Sequence, residues 1–124
     1  MNNRIESTNE KEHSKTKSYD FALDVINEVQ VIKNNHKEFD LSRQLVRSGT
    51  AIGALIREAE FGQTKKDFIH KLSISLKEAN ETDYWLNLLK DAGLITQESF
   101  QELAPKCEEL LKMFVASIKT ARSN

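Results

Sequence analysis

From Ser18 onward, apolar side chains recur at intervals of three and four along four successive stretches, each closed by a short polar segment. That period places them on one side of a helix, and no strand-like alternation competes with it. The first stretch carries Phe21, Ala22, Val25, Ile26, Val29 and Ile32 on one side. The second carries Leu41, Leu45, Ile52, Leu55, Ile56 and Ala59, and the third Phe68, Ile69, Leu72, Leu76 and Ala79. In the fourth, Phe100, Leu103, Cys107, Leu110, Phe114 and Ile118 alternate steps of three and four. Four Gly and one Pro leave few turns, so the pattern reads as helices with short connections. Such helices pack antiparallel in chain order, an up-down-up-down four-helix bundle of all-α class.

The expected helices cover about 18–34, 40–61, 65–92 and 97–121, within a bundle domain of 18–122. Residues 1–17 hold one aliphatic side chain, Ile5, and read as a disordered polar arm. Asp40 or Ser42 can accept the first amides of helix 2. Phe61-Gly62 offers a left-handed stop, and Thr64 to Asp67 resembles a capping box. Gly93 ends helix 3 and Thr96 caps helix 4. Pro105 lies inside helix 4 and predicts a kink or a break there.

Within helix 2, Ser48 to Ala54 reads SGTAIGA, yet the apolar phase continues through it, which argues against a ligand loop. Gly49 and Gly53 have the G-x-x-x-G spacing that lets two helix backbones approach, and the Lys-Ser/Thr ending of a phosphate loop is missing. Helix 3 poses the opposite case. From Tyr84 its sequence YWLNLLKDAGL is apolar on more than one face, so the face through Ile74, Tyr84, Trp85 and Leu88 is expected to meet a partner outside the intrachain core.

No arrangement predicts catalysis. Asp67 and His70 stand alone, where Asp is better explained as a helix-start residue, and no Glu-x-x-His pair exists for a metal bundle. Cys107 sits on the apolar stripe of helix 4 as a buried thiol, and His13 and His36 fall in tail or loop. We expect no enzyme, no cofactor, no metal and no small-molecule substrate. The chain lacks an apolar run of the ~20 residues a membrane span needs, and its start has no secretory h-region. Cytoplasmic location and no membrane partner are therefore expected.

Net charge is −1, but residues 36–77 hold eight Lys and Arg against five Asp and Glu. Arg43, Arg47, Lys65, Lys66 and Lys71 form the candidate nucleic-acid-binding patch on helices 2 and 3, with RNA or DNA as its partner. The competing reading pairs the arginines with Glu78 and Glu81 across the bundle.

QLVRSGTAIGALIREAE, followed by FIHKLSISLKEANETDYWLNLL, resembles the family of small four-helix-bundle proteins encoded within intervening sequences of bacterial 23S rRNA genes. That family is related to the accessory variability proteins of diversity-generating retroelements. The resemblance covers about Tyr19 to Arg122, and Lys77 to Leu86 is its most specific part. It implies an antiparallel bundle that assembles into a homopentameric ring, with no established enzymatic activity and no catalytic residues to transfer. Two departures stand out: the retroelement relatives are strongly basic, and Leu55 occupies a position where Asn is usual.

Overall fold

The computed structural model describes residues 2–124, with side chains from Glu12 onward. Four helices, α1 (Asn2–His36), α2 (Asp40–Glu60), α3 (Lys65–Asp91) and α4 (Gln97–Ser123), account for all regular structure among the described residues. Each packs on the next in chain order, and α1 closes against α4 through the sparsest of the four contacts.

Cross-helix contacts give the direction of every pair. Ser18 lies against Gly53 and Val25 against Gly49, so α1 and α2 run antiparallel. Ile52 carbonyl accepts from Ser75, while Ser48 meets Thr82, which reverses α3 against α2. Ala79 meets Cys107, and the Lys90 ammonium sits 4.2 Å from the centre of the Phe100 ring. Lys17 pairs with Glu109 and Asp24 with Lys106, closing α4 on α1 in the same antiparallel sense. The core runs the length of this square, from Phe21, Val25 and Ile32 through Leu45, Ile52, Leu86 and Leu89 to Leu110 and Phe114.

The small residues of α2 serve packing within the chain. A Cβ on Gly49 would stand 2.9 Å from Val25 Cγ1, and one on Gly53 would stand 3.3 Å from Ser18 Oγ. Here α1 therefore approaches α2 at backbone distance. Beside this seam the buried hydroxyls of Ser48 and Thr82 lie 2.9 Å apart, and Ser75 Oγ donates to Ile52 carbonyl at 3.0 Å. No described buried side-chain polar atom is left without a partner. Ser48 and Thr82 also donate to carbonyls of their own helices, Leu45 O and Glu78 O, whereas Ser75 relies on Ile52 across the seam, so a slide of α3 along α2 would strand the Ser75 hydroxyl.

Several expectations at the helix ends change. Helix α1 continues back to Asn2 where an arm over 1–17 was expected. Over the part with described side chains, Ser14 and Ser18 are small enough to be buried, Lys15 pairs with Glu60 at 3.2 Å, and Lys17 pairs with Glu109. The side chains of residues 1–11 lie outside the described set. At α2 the cap is Glu38, whose Oε1 accepts from the Leu41 amide at 2.6 Å; neither Asp40 nor Ser42 does this, and Ser42 donates its hydroxyl to the Glu38 carbonyl. Gly62 is not left-handed, since among the described residues only Lys37 and Gly93 have positive φ. Its lack of a side chain matters for closeness instead: a Cβ there would come 3.2 Å from Ala59 O and Phe68 N.

Gly93 (φ 76°) does end α3 in the left-handed form, with Leu94 N–H donating to Leu89 O and Gly93 N–H to Lys90 O, a Schellman arrangement. Thr64 and Thr96 cap α3 and α4 through side-chain oxygens that accept amide hydrogens of Asp67 and Ser99 at 3.1 Å. Helix α4 is not broken at Pro105. The carbonyl deprived of its amide partner belongs to exposed Gln101, where water can satisfy it.

Candidate functional surface

The five cations of the basic patch are not brought together. Arg47 meets α3 at Glu78, 3.1 Å away, and at Glu81. Arg43 lies one turn nearer the α2 start, beside Asp40 at 3.5 Å. Lys65 and Lys66 begin α3 at the opposite end of the bundle, about 30 Å from Arg43 at 1.5 Å of rise per residue. Lys71 is held by Glu58 at 2.9 Å. Three of the five thus carry carboxylate partners, which leaves a weaker cationic surface than the residue list suggests.

The Arg47 contact also organises an aromatic corner. Glu81 Oε2 accepts from the Trp85 indole N–H at 3.0 Å as well as from Arg47. The indole hydrogen bond, then the guanidinium, hold the Glu81 carboxyl below the usual range; the bond to Glu81 holds Arg47 above its own. Tyr84 stands edge-on to Trp85 with ring centres 5.0 Å apart. Of the four residues expected to face a partner, Ile74 and Trp85 are half-buried against the bundle. Tyr84 (57% exposed) and Leu88 (37%) face outward.

A second apolar strip lies on α1, where Tyr19, Leu23 and Ile26 are 54%, 46% and 39% exposed. Their spacing of four and three places them on one flank, the flank toward α2, with the Arg57 guanidinium 5.8 Å from the Tyr19 ring centre. Ile26, expected in the core, belongs here. The signal was present in the sequence: α1 has more apolar positions than a single stripe can use, and this trio repeats about 150° away from Phe21, Val25 and Ile32 at about 100° per residue.

The other flank of α1 faces α4 across a groove with two adjoining hollows. Asp20, Asp24 and Glu28 line it from α1, and Glu102 and Glu109 from α4, against Lys17 and Lys106. Lys106 reaches Asp24 at 2.7 Å. Burial raises the Glu28 carboxyl above its usual value; a Ser99 hydrogen bond works against this, and nearby Glu102 adds to it.

Cys107 is buried, donates toward Ala79 O at 3.2 Å, and is pushed up to about 12, first by burial and then by Asp83. Among the described residues no three His, Cys, Asp or Glu are placed to hold a metal, and no helix is long and apolar enough to cross a membrane.

Fold and surface together define a four-helix protein whose distinctive features are faces and seams. Residues 10–116 match the family model of the 23S rRNA-intervening sequence protein, and the chain belongs to that family. It is also similar to a crystal structure from Bacteroides thetaiotaomicron described as a protein of unknown function from the S23 ribosomal protein family. The two are 45% identical with a TM-score of 0.87, over 89% of this chain and 98% of that one. No curated protein matches.

Proposed function

We propose that the chain is a cytoplasmic, non-enzymatic scaffold that works as a homo-oligomer, with a pentameric ring as its assembled form. The observation that carries this is the pair of exposed apolar strips, Tyr19-Leu23-Ile26 on α1 and Tyr84-Leu88 on α3. Four-helix packing leaves more than a third of each of these side chains exposed, and clustered apolar surface of this kind favours association. The buried thiol and the ion-paired cations are consistent with a protein that holds partners rather than transforms them. Kinship with the accessory proteins of diversity-generating retroelements belongs to the same proposal and rests on the sequence stretches quoted above. Light scattering on the purified chain tests the assembly: a mass of several chains supports the scaffold, and a single-chain mass removes it.

A further inference from the structure

The two apolar strips differ in their electrical surroundings. Around Tyr84 and Leu88 most neighbouring charges are matched, Arg47 with Glu78 and Glu81 and Lys90 with Asp91, while Lys77 beside Tyr84 has no carboxylate within 4 Å among the described residues. Around the α1 strip they are not. Arg57 beside Tyr19, and Lys33 two turns beyond Ile26 on the same flank, have no carboxylate within 4 Å among the described residues. The α1 strip is thus an apolar ridge with unmatched positive charge at its edges.

One surface of the same chain has the opposite character. The α1/α4 groove carries five carboxylates against two lysines, leaving three negative charges in excess. Its floor is apolar, formed by Phe21, Leu103 and Leu110, with Val31 exposed at one end. An apolar ridge edged with cations fits an apolar-floored groove edged with carboxylates, and a pairing of this kind steers encounter as well as fixing register.

We infer that the Tyr19-Leu23-Ile26 strip of one copy docks into the α1/α4 groove of a second copy, a head-to-tail contact between two different surfaces. This rests on the self-assembly proposed above and names its interface. Because ridge and groove flank the same helix, they occupy adjacent sides of the square bundle. Successive copies therefore turn rather than extend in a line, which allows a small closed ring such as the pentamer.

The test uses complementation between full-length variants at low salt, with the wild-type mass as reference. Leu23→Glu spoils the ridge and leaves the groove; Asp20→Lys/Glu102→Lys spoils the groove and leaves the ridge. All three positions are exposed, and circular dichroism checks that each variant remains helical. Each alone is expected to fall to a single-chain mass, and their equimolar mixture to form a two-chain complex through the one intact ridge and the one intact groove. Arg57→Glu repeats the ridge test without altering an apolar residue. Raising the salt on wild-type protein should lower its mass, since the edge charges are exposed. If wild type assembles and either ridge variant keeps the wild-type mass, the inference fails while the scaffold reading stands. A single-chain wild type overturns both.

Discussion

Alanine at Gly49 and at Gly53 should have opposite consequences, although the two glycines share a helix and a partner. Each substitution removes a glycine from a helix interior, which favours folding by about 1 kcal/mol. At Gly53 the new methyl would meet Ser18 Oγ at 3.3 Å and the Ser18 backbone at 3.5 Å, a contact that a small adjustment of the hydroxyl relieves. The propensity gain should survive there, leaving Gly53→Ala neutral or up to about 1 kcal/mol more stable. At Gly49 the methyl would stand 2.9, 3.1 and 3.3 Å from Val25 Cγ1, Cγ2 and Cβ. Val25 is fully buried and β-branched, so it has no open rotamer to move into, and α1 must shift instead. Overpacking of this kind costs roughly 1–3 kcal/mol, which meets or exceeds the propensity gain of about 1 kcal/mol, so Gly49→Ala should lose up to about 2 kcal/mol. Urea unfolding read by circular dichroism measures both, with an unchanged slope showing that stability rather than the unfolded state has altered. Gly49→Ala as stable as Gly53→Ala would refute the claim that α1 and α2 touch at Gly49.

Thr82→Val should cost about 0.5–1.5 kcal/mol in the same assay, the worth of the hydrogen bond it donates to Ser48, whose hydroxyl keeps its bond to Leu45 O; a loss well above that range would show that Ser48 depends on Thr82 alone. Glu28 sets a pH dependence: with its folded carboxyl raised above 4.5 by burial, its contribution is complete below that value and is lost as pH rises through the folded value. Glu28→Gln should then be more stable than wild type at neutral pH and show a flatter pH profile just above 4.5; a profile of unchanged slope would contradict the burial. Cys107, pushed up to about 12, should resist iodoacetamide at pH 8 in the folded protein and react once urea unfolds it, and rapid alkylation of the native chain would show that α3 and α4 are not packed there.

What was readable in the sequence follows the physics of each signal. The stripe from Phe100 to Ile118 is a local periodicity, and five of its six residues are buried in α4. Gly93 was legible because its backbone angle depends on its own residue type, whereas Gly62 acts through what lies beside it. The Glu38 cap escaped notice because a long carboxylate can fold back onto amides three and four residues ahead, and the sequence does not say which acid will do so. Pairing of Arg47 with Glu78 and Glu81 was among the expected readings, since opposite charges recur on facing helices. The scattering of Arg43 and Lys65 to opposite ends was not, because proximity across an antiparallel pair depends on register. Ile26 shows the same limit: a helix with two apolar flanks does not reveal which one its own chain will cover.

Self-association is the claim on which the functional account rests, and a mass in solution addresses it without assumption about the partner. Size-exclusion chromatography with light scattering should return several times the 14.2 kDa chain mass, close to five chains for the ring. A peak at 14.2 kDa across the accessible concentration range would contradict the account and leave both apolar strips to a different protein.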